Sequence, residues 1–357
     1  MTYSIECTDQ TKIMLWWGRF DPDYSRNRVL RNLLKEAGWY LDDFIPRFSS
    51  LGLIEARLRN IALPDAVWVP AFRHRDFLAA RRFANKHNIP LIFDPLISAW
   101  DKAVYERKKF RETDRRACKL LKWEKQMFAT ADLVIADTVP HARFFIDSLS
   151  ASEDRTYVIP VGAEEAVFKK QPASLPTDPP EIFFYGSFID LQGTEIIIGA
   201  AIQVPEAHWV LLGNGPMREV CEHRSRNHSH ISFEDWIPYE KLPDRIGEAD
   251  ILLGIFGTSA KAERVIPNKV YQSLACGRPL VTRQSPAYSE LLQKSSDCGI
   301  TFIPPGDPDA LAAAVRTLLA DPLRLPKIGE QASNSFDTWF SENHLQEALS
   351  VMIAELA

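Results

Sequence analysis

Short apolar runs alternate with longer amphipathic segments along most of this chain, and the alternation begins afresh past the midpoint. Candidate strands in the first half are Ile13–Trp17, Ala66–Phe72, Leu91–Asp94, Leu133–Asp137 and Tyr157–Val161. In the second half they are Ile182–Tyr185, His208–Leu212, Ile231–Phe233, Ile251–Ile255, Pro279–Thr282 and Gly299–Ile303. Several are continuously hydrophobic, the pattern of strands covered on both faces. Between them Arg28–Ala37, Leu78–His87 and Ala310–Leu319 have helical spacing. Strand–helix–strand repetition predicts parallel sheets flanked by helices, an α/β class, and each half shows it independently. A length of 357 residues suits two such domains. The proline- and charge-rich stretch Glu164–Glu181 is the natural divider. The expected organisation is a first domain over 1–165, a linker over 166–181 and a second domain over 182–335. A closing segment, 336–357, is expected to pack back towards the first domain. Its helix, Ser341–Leu356, lines up Leu345, Leu349, Met352, Ile353 and Leu356 on one face.

Composition narrows the function classes. With 46% hydrophobic and 25% charged residues, the chain is neither disordered, collagen-like nor a coiled coil. Five cysteines form no CxxC pair, an odd, scattered set that suits reduced thiols. Met1 to Gly18 carries polar residues where a signal peptide needs an apolar stretch, and no apolar run approaches the roughly 18 residues that span a bilayer. The expectation is a cytoplasmic protein. The net charge of −5 hides an asymmetry: residues 1–170 sum to +5, residues 171–357 to −10, and residues 102–125 alone to +6. Segment 107–125 mixes these cations with Phe110, Leu120, Leu121 and Trp123, which suits either an anionic membrane surface or a solvated helix face. Nucleic acid is not an expected partner, because the chain is acidic overall and shows no recognised nucleic-acid module.

Open α/β domains place ligands where strand C-termini meet helix N-termini, and unpaired amides there favour anions. The most informative such turn runs from Gly254 to Gly277. A strand ends in a glycine-bearing loop, Pro267 and Asn268 open a helix with Asn268 as its expected cap, and Gly277 and Pro279 close it. Lys261, Arg264 and Lys269 cluster around the helix start. Residues of this kind either cradle a diphosphate through charge-assisted bonds or form a solvated basic loop.

Phe256-Gly257, the helix start and Ser273-Leu-Ala-Cys-Gly-Arg-Pro-Leu280 resemble the donor-site signature of family 4 retaining glycosyltransferases of the GT-B fold. Other stretches are similar in order and spacing: Phe184-Tyr-Gly-Ser-Phe-Ile-Asp-Leu-Gln-Gly193, Val210-Leu-Leu-Gly-Asn-Gly-Pro216, Val158-Ile-Pro-Val-Gly162 and Ala249-Asp-Ile251. The resemblance implies two Rossmann-like parallel-sheet domains facing each other across a cleft. It further implies a nucleotide-diphosphate sugar donor, a glycan or lipid-linked acceptor and no required cofactor or metal. The chain departs from the family's paired-glutamate motif. Gln272 stands at the second position, and Arg264, with Glu263 beside it, stands at the first. The usual basic residues of the opening loop are replaced by Ser187 and Gln192.

Carried over residue by residue, the resemblance gives Gly186, Ser187, Gln192 and Gly193 to the donor loop. Lys261, Arg264, Asn268 and Lys269 would hold the diphosphate, Glu263 the donor sugar, Gln272 the ribose, and Asp235 and Trp236 the nucleobase. On the acceptor side the loop Trp17-Gly-Arg-Phe-Asp21 offers Gly18 and Arg19. Asp94 is the candidate for orienting the acceptor, with Asp101 second, although an aspartate before proline also simply shapes a turn. His74 ends another candidate strand. Gly213-Asn-Gly215 lacks the third glycine of a dinucleotide fingerprint. Cys221, His223, His228 and His230 fit no zinc spacing. The expected function is retaining sugar transfer in polysaccharide or glycolipid synthesis, on or near the inner membrane face. The alternatives are a non-catalytic homologue that binds a nucleotide sugar or partner enzyme, and a nucleotide-sugar epimerase.

Overall fold

The computed structural model describes residues 12–172 and 176–356. Cys7, the first part of the stretch read for a targeting signal, the middle of the linker and Ala357 lie outside the described residues. The described residues build two six-stranded sheets. The first holds β1 (Ile13–Trp17), β2 (Tyr40–Phe44), β3 (Ala66–Val69), β4 (Leu91–Phe93), β5 (Leu133–Ala136) and β6 (Thr156–Val158), in the order β2-β1-β3-β4-β5-β6. The second holds β7 (Glu181–Gly186), β8 (His208–Gly213), β9 (Ile231–Glu234), β10 (Ile251–Leu253), β11 (Leu280–Arg283) and β12 (Ile300–Ile303), in the order β12-β11-β10-β7-β8-β9. Every neighbouring pair is parallel.

Burial on both faces explains the continuous apolar runs. In β1 and β3, Leu15, Trp17, Val67 and Val69 enter one core, while Met14, Trp16, Ala66 and Trp68 enter another across the sheet. Trp16 and Trp68 stack with ring centroids 5.4 Å apart. Strand β2 had no such signal. It is an edge strand in which only Phe44 is buried, and its sequence YLDDF carries two aspartates. Two expected strands end three residues early. β3 stops at Val69, leaving Phe72 in a left-handed conformation (φ 65°), and β6 stops at Val158.

Strand order reverses on either side of β1 in the first sheet and of β7 in the second, so each sheet has one switch point. Ligand crevices open at the carboxyl ends of strands beside such points. One apolar core joins the domains, with Ala71 and Leu96 of the first packed among Tyr185, Val270 and Tyr271 of the second. The chain then returns: Leu345, Leu349, Met352 and Ile353 of the helix Glu342–Ala354 lie in the same core as Val29 and Leu30.

Candidate functional site

Strand β7 delivers Gly186 to its switch point. Beyond it come exposed Ser187, buried Phe188 with φ 45°, a short turn Asp190–Gln192, and Gly193 ahead of the helix Thr194–Gln203. Opposite stands the helix Asn268–Ala275, whose second residue is Lys269. Lys269 is buried, and its Nζ lies 3.9 Å from the centre of the Phe184 ring with no hydrogen-bond partner among the described residues. Burial pushes this ammonium well below the usual lysine range. Oε1 of Gln192 is likewise buried without a partner. Both atoms crowd the space beside Gly186: a Cβ there would stand 2.8 Å from Lys269 Nζ and 2.5 Å from Gln192 Oε1. A lysine held without an acceptor at a helix start, where first-turn amides lack intrahelical partners, forms a site with capacity for an anion.

The surroundings of this point are partly fixed. Gln272, one turn along the helix, accepts a hydrogen bond from the buried Tyr185 hydroxyl at 2.9 Å. Trp236, 56% exposed, lies over the end of β8, within 3.1 Å of the Cβ position of Gly213. Asp235 takes a bond from Arg218 at 2.7 Å and is otherwise open to solvent. Asn268 is the first residue of its helix, and extended Pro267 (φ −74°, ψ 152°) occupies the cap position expected for it.

The other basic residues of the loop are engaged elsewhere. A short helix not anticipated from sequence, Ala260–Arg264, is capped by Ser259 and points its cations at the first domain. Lys261 pairs with Glu106, and Arg264 pairs with Asp101 at 2.8 Å while its guanidinium lies 4.1 Å from the Phe144 ring centre. Thr138 donates its hydroxyl proton to the Arg264 carbonyl. In this conformation Lys261 and Arg264 latch the domains together, and Asp101 serves the latch. Glu263 keeps a half-exposed side chain, 3.9 Å from the Arg283 guanidinium.

In the first domain Asp94 is fully buried beneath an equally buried Arg26, with Nε 2.9 Å from Oδ2. Arg26 also donates to the carbonyls of Ile159 and Pro160. Desolvation raises the Asp94 carboxyl and Arg26 opposes the rise. The structure thus gives Asp94 a bracing position with no exposed atom, unlike the acceptor-facing one expected. Arg26 carried no sequence signal, since nothing local distinguishes it from Arg28 or Arg31. Gly18 (φ 145°) accommodates the Arg73 side chain, and Arg73 donates to the Arg19 carbonyl. His74 is buried with its Nε2 3.2 Å from Glu124, which also holds Ser98, Ala99 and Trp100. The basic segment 107–125, open in sequence between a membrane-facing stretch and a solvated helix face, is helical only in part: the helix Arg115–Thr130 begins after residues 107–114 have looped. Among the described residues no group of three or more His, Cys, Asp or Glu side chains is placed to hold a metal ion. No helix among them is long and apolar enough to cross a membrane.

Residues 179–321 match the family described as glycosyl transferases group 1. The GDP-mannose-dependent alpha-(1-6)-phosphatidylinositol monomannoside mannosyltransferase of Mycolicibacterium smegmatis is 26% identical over 172 residues, 45% of this chain and 44% of that protein. The chain spans less than half the length of the curated relatives it matches. Among solved structures, sucrose-phosphate synthase from Thermosynechococcus elongatus superposes with a TM-score of 0.76 at 18% identity, covering 97% of this chain and 99% of that one. Anabaena HepE in complex with UDP-glucose superposes with a TM-score of 0.71 at 14% identity, covering 97% and 100%. At such identities the likeness is one of fold, and the fold is GT-B.

Proposed function

We propose that this chain is a retaining glycosyltransferase that moves a sugar from a nucleotide-diphosphate donor to a glycan or lipid-linked acceptor. The observation that carries the reading is Lys269, a buried lysine without an acceptor at the switch point of the second sheet. The match of residues 179–321 to the group 1 family supports it, and so does the fold shared with a protein solved with UDP-glucose. Two curated relatives, the phosphatidylinositol monomannoside mannosyltransferase and a lipopolysaccharide core biosynthesis glycosyltransferase of Rhizobium meliloti, favour a glycolipid or surface-polysaccharide acceptor.

Glycosyl transfer passes through an oxocarbenium-like transition state while charge grows on the departing diphosphate. Preorganised donors aimed at that charge lower the barrier. Lys269 and the first-turn amides of its helix supply them, with Ser187 and the Gln192 amide on the facing loop. On this reading these fixed donors, rather than a metal ion, hold the leaving diphosphate. Gln272, held by Tyr185, faces the ribose, Trp236 offers a stacking surface for the base, and Glu263 reaches the sugar hydroxyls as the lobes shift. The acceptor proton passes to the leaving phosphate. Closure of the lobes keeps water from the donor.

A charge-assisted bond of about 1.5–3 kcal/mol corresponds to roughly tenfold to a hundredfold in affinity. Lys269→Ala is therefore expected to weaken UDP binding by that factor in calorimetry and to abolish sugar transfer. Unchanged affinity and turnover in that variant would remove the assignment. One specific observation favours a second reading, a homologue that binds the nucleotide sugar without turnover: Asp94 is withdrawn beneath Arg26. UDP binding without transfer or donor hydrolysis across a panel of donors would select it, and isomerised donor would select an epimerase.

A further inference from the structure

A cavity of about 790 Å³ lies in the first domain, where the loop after β1, the turn after β3 and the segment after β4 meet. Its walls carry Arg19, Arg73, Arg75, Lys102, Arg107 and Lys109 against one carboxylate, Asp76. Among the described residues none of these six cations forms a salt bridge. Like charges that outnumber their counter-ions are unfavourable, and they stay together where something else holds them. Here the backbone does. Phe72 sits in the left-handed region on the cavity wall, and residues Lys102–Glu106 wind as a π-helical turn, two features that concentrate at ligand sites. Burial, together with neighbouring Arg107, Lys261 and Lys109, pushes the Lys102 ammonium down, although Glu106 opposes them. The helix His74–His87 starts at this wall and adds the positive end of its dipole. Phe72, Ile97 and Trp123 supply an apolar side.

We infer that this cavity binds the phosphate group of a phosphorylated acceptor, so that the sugar is transferred to a molecule anchored by its anionic end. The inference rests on the sugar-transfer reading for the word acceptor, while the anion site itself stands on the cavity's own charges. The source of the phosphate is either a soluble phosphomonoester or a lipid headgroup.

Glycerol 3-phosphate, titrated by calorimetry into the full chain with and without excess UDP, tests the shared chemistry, with glycerol as control. Sedimentation with phosphatidylcholine vesicles, with and without phosphatidate, tests the lipid source. Arg75 and Arg107 are exposed, so Arg75→Gln with Arg107→Gln leaves the core intact. The expected result is binding of glycerol 3-phosphate or of phosphatidate vesicles, weakened at least about tenfold in the double variant. Binding of the phosphomonoester alone assigns a soluble acceptor, and vesicle binding alone assigns a lipid. The inference is overturned if neither probe binds, or if the double variant binds as well as the parent. Loss of UDP binding in Lys269→Ala with glycerol 3-phosphate still bound keeps the two sites separate. A parent chain that binds the phosphate probes and no nucleotide keeps this cavity and defeats the sugar-transfer reading.

Discussion

With its Nζ packed on the Phe184 ring and no hydrogen-bond partner among the described residues, Lys269 binds fewer protons in the folded chain than in the unfolded one. Between its depressed pKa and the ordinary lysine value, stability therefore rises with pH, and below that window the full penalty of burying the charge remains. A bound diphosphate restores the charged form, so binding takes up a proton in the same window. UDP affinity is expected to fall as pH rises from the free pKa towards the bound one, by at most tenfold per unit. Lys269→Met is expected to raise the melting temperature of the ligand-free chain and to flatten both dependences; calorimetry in buffers of different ionisation enthalpy reads the proton directly. Gly186 gives a second test at the same point. A Cβ there meets only the ends of two flexible side chains, Gln192 and Lys269. Gly186→Ala should thus fold normally yet weaken UDP binding about tenfold by displacing the lysine. Gly213→Ala, by contrast, drives its Cβ to 2.1 Å from the Gly186 carbonyl oxygen at φ 119°, and should lose stability outright.

The helix Ala260–Arg264 illustrates how an element can be read in part. Its cations were visible in the sequence as a cluster near a helix start, but their partners, Glu106 and Asp101, lie 155 and 163 residues away. No local pattern records such a pairing. The same holds for Asp94 and Arg26, 68 residues apart. The strands were legible because burial on both faces leaves continuous apolar runs. β2 was not, because an edge strand facing solvent needs only Phe44 to be apolar. Lys269 was singled out from its place at a helix start, whereas its lack of a partner is a property of the packed fold. The latch is itself testable. Asp101→Asn leaves Arg264, 16% exposed, without its carboxylate, an expected loss of about 1–2 kcal/mol. Combined with Glu106→Gln it should give less than the sum of the two single losses, since both pairs join the same elements. If the latch sets the separation of the lobes, small-angle scattering of the double variant will show a larger radius of gyration without UDP. An unchanged radius would leave closure to the shared apolar core.

At the scale of the molecule, the chain crosses between lobes twice, and the crossings are tied to each other. The Glu165 amide donates to the Glu342 carboxylate at 3.2 Å, and the Glu342 amide donates to the Glu165 carboxylate at 2.6 Å. While these two bonds hold, bending one crossing bends the other with it. Beyond the second crossing, Leu345, Leu349, Met352 and Ile353 complete the core around Met14, Trp16, Val29 and Leu30. Full burial of four such side chains contributes about 6–12 kcal/mol as an upper estimate, comparable to the stability of an entire domain. The first lobe is therefore incomplete without the last helix, although they lie at opposite ends of the chain. Deleting residues 342–357 is expected to strip hydrogen-exchange protection from the amides of β1 and β3 while those of β7 and β8 keep theirs. Supplying the helix as a separate peptide should restore the protection of β1. Protection of β1 that survives the deletion would mean that the first lobe closes its own core.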